Sequence, residues 1–374
     1  MKKKIGIITY HFAQNYGAVW QCFALQEYLR KIGNDVYVLN AITEKQKRNN
    51  SLFHKRKGIK NLITNICLFP FCKSRYEKAK KFKKFVINYL HCTSLVCNEY
   101  ELEQLVNNNK FDILISGSDQ VWNPQIPDFE KMFFLPFKSI GKKIGYSVSI
   151  GRAKLDEIIV YRQNIKDFLE IGVRELGAID TLKKVVDKTM VNTVDPVLLL
   201  SKNEWMKFIN LKFNYSGYLL CYFLDKKNIK ESLKLAKKIA KQKNLKIRCI
   251  SMHFNLNSFK KMMVNNAGPI DFLNYIYHAD TVITDGYHGT VFSTIYNKEF
   301  YSIIHNKSSA DSRIKDYLSI LGLKRRIIYH NTEKFDDNCI NYENVQKLIE
   351  KIPMNSYNFL DKAINNQFKK EQYD

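Results

Sequence analysis

Residues 281–294 read TVITDGYHGTVFST. A β-branched run, TVIT, stops at Asp285, a histidine follows between two glycines, and a helical pattern begins at about Thr290. Strand, tight turn and helix in that order form half of a βαβ unit, and ligands of doubly wound sheets sit beyond the carboxyl ends of such strands. Gly286 and Gly289 leave the backbone free to turn. The N–H groups near Thr290 and the positive end of the helix offer an anion site. His288 stands beside that site, where it suits a general acid; the other reading is a core histidine satisfied by backbone.

Outward from this turn the same alternation recurs. KIGIITY at 4–10 precedes a helix whose inner face carries Cys22, Leu25, Leu29 and Ile32 and which Gly33 closes. DVYVLN, a basic helical insert, FDILIS, KIGYSVSIG, a helix from about Leu155 to Glu170, IGVRE and MVNTVDPVLLL follow. GYLLCYFL at 217–224 starts the pattern again, with IRCISM, a helix opened by Pro269, TVITD, EFYSII and a helix after Asp311. The expectation is an α/β protein of two Rossmann-like units joined near Pro196 to Tyr215. The divisions are 1–200, with the insert at 45–105, then 201–340, and a helical tail at 341–374 able to pack back across the junction.

The 374 residues are 45% hydrophobic, enough for two cores. No run approaches the ~20 apolar residues of a membrane span, YLLCYFL being the longest candidate. The opening MKKKIGIITYHF is too short in its apolar part for a secretory leader and reads as a first buried strand. A soluble, intracellular protein is expected. Lys and Arg outnumber Asp and Glu by 60 to 36, a net charge of +24. Much of the excess is local, in KRKGIK at 55–60 and KSRYEKAKKFKKF at 73–85, where Phe82, Phe85, Val86 and Tyr89 recur at helical spacing. Such a helix is either a solvated flank or a contact with an anionic membrane surface. No nucleic-acid motif accompanies it. Of the eight cysteines, Cys67 with Cys72 and Cys92 with Cys97, near His91, have the spacing for zinc but lack knuckle glycines, so no metal is expected and reduced thiols are the reading.

Three further turns after strands carry unusual residues. TYHFAQNYGAVWQ places Asn15, Tyr16 and Gly17 at the start of the first helix, either a ligand-approach turn or a tight turn with a packed tyrosine. It is neither G-x-G-x-x-G nor a P-loop, so dinucleotide and ATP binding are unsupported. ISGSDQVWNP gathers Ser118, Asp119, Gln120, Trp122 and Asn123, hydrogen-bonding groups around an aromatic plane, which suits a sugar, with Asp119 as a base. A self-bonded Asx turn is the alternative there. IGVRE ends a strand on Arg174, a lone arginine whose commonest use is a surface ion pair, and GYSVSIGR brings Gly151 beside it.

Together NYGAVWQCFALQEYL, GSDQVWNP, YSVSIG, GVRE, VDPVLLL and DGYHGTVF resemble the polysaccharide pyruvyl transferase family, from about Lys4 to Arg326. The resemblance implies a GT-B-like fold of two Rossmann-like domains facing a cleft, the first on the acceptor side and the second on the donor side. It implies transfer of pyruvyl from phosphoenolpyruvate, with no cofactor, to two hydroxyls of a sugar as a cyclic ketal. The acceptor would be a capsule or exopolysaccharide precursor, undecaprenyl-linked, at the inner face of the cell membrane. Arg174 and His288 would contact the donor, with Tyr287 beside them. One departure stands out: many members carry arginine where this chain has Gly286, and Arg313, in ADSRIKDYL, or a nearby lysine is expected to supply that charge. A ketal from an enol phosphate needs an acid, a base and cations for a carboxylate and a phosphate; His288, Asp119 and a bidentate Arg174 fill those roles. Two other classes remain: a GT-B glycosyltransferase using a nucleotide sugar, and an inactive glycan- or membrane-binding protein.

Overall fold

The computed structural model describes residues 2–51, 69–213, 215–251, 262–305 and 309–365. KRKGIK at 55–60, Cys67 and the last nine positions of the tail lie outside the described residues.

Two parallel sheets carry the chain. The first orders its strands β2-β1-β3-β4-β5-β6, with β1 at Lys4–Ile8, β2 at Asp35–Val38, β3 at Ile113–Ser116, β4 at Lys142–Val148, β5 at Phe168–Val173 and β6 at Met190–Asn192. The second runs β11-β10-β9-β7-β8, with β7 at Tyr218–Phe223, β8 at Lys246–Ser251, β9 at Thr281–Thr284, β10 at Glu299–Ile303 and β11 at Ile327–Ile328. Helices cover both faces of a parallel sheet, which is why β3, β7 and β9 are buried at every position, and β1 at all but Lys4, instead of alternating.

The first helix, Tyr16–Lys31, starts where Asn15 turns its side-chain oxygen onto the N–H groups of Gly17 and Ala18. Gly33 beyond its end sits at φ +95 as expected, but Ile32 is 45% exposed and is the cap, not part of the inner face. The helix expected up to Glu170 ends sooner: two short helices, Leu155–Ile159 and Arg162–Lys166, give way to β5 at Phe168. Pairing on both sides, with β4 and β6, overrides the helical reading of this apolar run.

The seam between the sheets is a continuous core. Tyr16, Trp20 and Phe23 of the first helix, Phe82 and Phe85 of the basic helix Cys72–Tyr89, and Tyr222, Phe272 and Phe292 of the second domain belong to one cluster. Lys78, on the buried side of the basic helix, lies 5.0 Å over the Tyr16 ring, and burial pulls its ammonium down to about 8. The closing helix Met354–Asn365 returns to the first sheet, packing Phe359, Leu360, Ala363 and Ile364 with Ile5, Ile113, Ile144 and Tyr146. No helix of the described residues is long and apolar enough to cross a membrane.

Candidate active site

Strand order reverses between β1 and β3 in the first sheet and between β7 and β9 in the second. At these switch points the chain leaving β9 meets the start of the first helix. The helix after β9 begins at Tyr287, three residues earlier than its pattern suggested, so His288 lies in its first turn. Gly286 caps it at φ −101, an ordinary extended value. The two glycines therefore answer to close packing: a Cβ at Gly286 would stand 3.0 Å from Tyr222, and one at Gly289 2.5 Å from the Thr284 hydroxyl. Tyr222 and Leu224 fill the space a longer side chain at 286 would need.

His288 is gripped from two sides. Its Nε2 lies 3.2 Å from Asp195 Oδ2, off hydrogen-bond alignment. Its ring rests on Gly17, where a Cβ would fall inside the imidazole. Asp195 is fully buried; its Oδ1 accepts from the Val197 N–H at the turn after β6, and its Oδ2 accepts from Arg174 Nη1 at 3.3 Å. Arg174 also donates Nε to Glu175 Oε1 at 3.2 Å and Nη2 to Asp119 Oδ1 at 3.3 Å. Glu175 Oε1 in turn lies 3.4 Å from Arg313 Nε, and the Arg313 guanidinium covers the Tyr287 ring at 4.7 Å. Asp119, Arg174, Glu175 and Asp195 come from the first domain; Tyr287, His288 and Arg313 come from the second.

The electrostatics follow from burial and these pairs. Burial alone would push Asp195 up, but His288, Arg174 and Arg313 outweigh it and hold the carboxyl well below the usual carboxylate range. Arg174 behaves oppositely: burial pulls its pKa down, yet Glu175, Asp119 and Asp195 more than restore it. Arg313 is lowered, by burial first and then by the neighbouring Arg174. Every nitrogen of Arg174 thus faces a protein carboxylate, whereas Arg313 has only Glu175 beside its Nε, off hydrogen-bond alignment, and its Nη1 is buried without a hydrogen bond. Ser118 Oγ, Ser147 Oγ and Glu175 Oε2 are buried and unpaired as well. Folded proteins pair nearly all such groups, so this concentration marks a place built for polar atoms. Asp119 at φ 79 and Ser147 at φ 50 hold left-handed backbone in the same region. A cavity of about 120 Å³ opens beside it, lined by Arg174, Thr193, Asp195, Tyr287, Arg313 and Tyr317.

Several residues expected at the site lie elsewhere. Tyr16 is fully buried, stacked on Phe272 at 4.7 Å with its hydroxyl on Ala267 O, so it belongs to the seam. Trp122 is equally buried, between Phe134 and Phe168, with Nε1 on Ser116 Oγ, and offers no face to a sugar. Thr290 hydrogen-bonds Gly286 O and Ser302 Oγ inside the second domain. Asn123 and Gln120 bond to each other at 2.7 Å, under Gly151, and Asn15 serves as the cap already described. The bidentate use expected of Arg174 falls instead to protein carboxylates. Asp195 and Glu175 went unremarked in the sequence, although VDPVLLL and GVRE both contain them; a buried acid is legible only once its partners are in place. Asp285 is another: it accepts from the N–H groups of Leu224 and Asp225 and lies 3.3 Å from His305 Nε2, tying the exits of β7, β9 and β10 together. Among the described residues no group of three or more His, Cys, Asp or Glu could hold a metal ion, and Cys72, Cys92 and Cys97 are free thiols.

A family model described as polysaccharide pyruvyl transferase matches residues 15–308. No curated protein matches the chain. Among solved structures, the S. aureus MnaA–UDP complex superposes with a TM-score of 0.50 at 10% identity, over 94% of this chain and 91% of that one. UDP-N-acetylglucosamine 2-epimerase from Rickettsia bellii gives 0.49 at 11% identity, over 97% and 99%. The calicheamicin glycosyltransferase CalG4 gives 0.43 at 9% identity, over 98% and 100%. The first of these shows the fold, the GT-B arrangement of two Rossmann-like domains; identities this low say nothing of the reaction.

Proposed function

The chain belongs to the polysaccharide pyruvyl transferase family, and from that premise we propose that it moves the pyruvyl group of phosphoenolpyruvate onto two hydroxyls of a sugar in a lipid-linked polysaccharide precursor. The observation that carries this reading is the meeting of His288, from the second domain, with Asp195, Arg174 and Asp119 of the first. Joining an enol phosphate to a diol requires both a proton source and a base, and the two-domain crevice holds one of each.

In the proposed sequence His288 gives a proton to the methylene carbon of the donor, which becomes the methyl group. The first sugar hydroxyl bonds to the central carbon as its proton passes to Asp119. Phosphate departs with the electrons of its C–O bond, the second hydroxyl adds, and that last proton goes to the released phosphate. Asp195, held ionised, stands 3.2 Å from His288 Nε2 and holds the ring on the donor side of the crevice. Arg174 is the hub that sets Asp119 and Asp195 at their stations. The donor's carboxylate and phosphate would meet Arg313, whose buried Nη1 makes no hydrogen bond, and the helix start at Tyr287. Arg313 thereby supplies the charge that Gly286 lacks. No metal or organic cofactor enters any step.

Incubation with phosphoenolpyruvate and a panel of lipid-linked or aryl glycosides, followed by mass spectrometry for a pyruvyl adduct, tests the reading. His288→Ala is expected to slow adduct formation ~10²–10⁴-fold, and Arg313→Ala to weaken donor binding. Thermal stabilisation by UDP-sugars, with none by phosphoenolpyruvate, would instead make it a nucleotide-sugar glycosyltransferase.

A further inference from the structure

The basic helix Cys72–Tyr89 lies alongside the first helix, with Tyr16 against Phe82 at 5.3 Å and Trp20 against Phe85 at 4.6 Å. On the opposite side, positions 73, 76, 80, 83, 84 and 87 share one stripe about 100° wide. They are Lys73, Tyr76, Lys80, Lys83, Lys84 and Ile87, all exposed, Tyr76 by 58% and Ile87 by 67%. Phe69, in the turn before the helix, is 67% exposed too. None of the four lysines has an ion-pair partner among the described residues, whereas Lys81, off the stripe, binds Asp271 at 2.7 Å. The helix's one acid, Glu77, is turned away onto Asn266. A merely solvated flank would mix both signs of charge. Lysines interleaved with large apolar side chains on one face match the level of lipid headgroups, where the cations meet phosphate and the rings enter the acyl boundary.

We propose that this stripe docks the protein on an anionic lipid bilayer. Its lysines would lie on the headgroups, with Phe69, Tyr76 and Ile87 dipping below them. The buried face of the same helix covers Tyr16, whose neighbour Gly17 touches His288. The crevice therefore lies behind the start of the first helix, on the side of the basic helix away from the bilayer. The use of that placement, presenting a lipid-linked acceptor to the site, rests on the pyruvyl transfer reading; the docking does not.

The test is flotation of the full chain with vesicles of equal parts phosphatidylcholine and phosphatidylglycerol, against vesicles of phosphatidylcholine alone, with no substrate present. Binding is expected only to the anionic vesicles and is expected to fall with salt. Each lysine near such a surface is worth roughly fivefold in partitioning, so Lys80→Gln with Lys84→Gln should weaken binding roughly 25-fold. Tyr76→Ser with Ile87→Ser should weaken it at constant charge. All four positions are exposed, so unchanged thermal midpoints are expected for both pairs. Undiminished vesicle binding by either pair overturns the proposal. So does duplex DNA bound as tightly as the vesicles and indifferent to the Tyr76 and Ile87 changes, which would make the stripe a nucleic-acid surface. Catalysis is not measured, so the outcome stands apart from the fate of the proposed reaction.

Discussion

The imidazole of His288, delivered by the second sheet, rests on the bare Cα of Gly17, delivered by the first. The two domains thus meet at the proposed acid, and any side chain at position 17 would compete with it for space. Gly17→Ala is expected to cost about 1–3 kcal/mol through overpacking and to lower turnover by displacing the ring. A urea midpoint and a phosphoenolpyruvate turnover assay check both, and a variant unchanged in each would mean that the contact is loose.

Among the described residues Arg174 alone pairs with all three of Asp119, Glu175 and Asp195. Removing it strands buried carboxylates, so Arg174→Ala should lose about 3–5 kcal/mol of stability. Arg174→Lys should recover part of it, because an ammonium cannot address three carboxylates in fixed directions. Equilibrium unfolding in urea measures both. Lost activity in Arg174→Ala would by itself say nothing about donor contact.

Asp195 has a folded pKa held below its unfolded value, despite burial, by His288, Arg174 and Arg313. The contribution of such a group is present above the unfolded value of about 3.9 and is lost as pH falls toward the folded one. Below about pH 4 the wild type should therefore lose stability more steeply than Asp195→Asn. Acid titration of the thermal midpoint reads the difference, and parallel curves would contradict it.

Lys78 runs the other way, its pKa drawn down to about 8 by burial. A lysine lowered in the folded state costs stability at neutral pH, and that cost fades as pH rises from about 8 through the unfolded value of about 10.4. Lys78→Met, similar in length and uncharged, removes the buried ammonium and should flatten the alkaline rise. Calorimetry at neutral and alkaline pH decides it.

The alternation of strand-like and helical runs was enough to place both sheets, because parallel strands covered on both faces read as near-continuous apolar runs. It misplaced the start of β5, where Phe168–Glu170 reads equally well as the end of a helix and only the neighbouring strands choose. The turns after β3, β5 and β9 were legible through Asp119, Arg174 and His288, polar residues stranded at the ends of apolar runs. What the letters could not convey was how those groups are used. Arg174 is occupied by three carboxylates, and the buried Asp195 and Glu175 acquire meaning only when chain segments far apart in sequence converge. The aromatic residues Tyr16 and Trp122 misled for a related reason, since a ring in a loop serves a core or a ligand equally well until its neighbours are known.

The closing helix Met354–Asn365 lays Phe359, Leu360 and Ile364 onto the sheet built by Ile5 and Ile113. During synthesis that sheet emerges before its cover, and part of its apolar face, the part Leu25, Leu29 and Leu199 leave uncovered, stays open until the second domain has been made. Such a nascent chain carries aggregation-prone apolar surface for longer than its first domain alone would suggest. A premature stop anywhere in the second domain would injure the first.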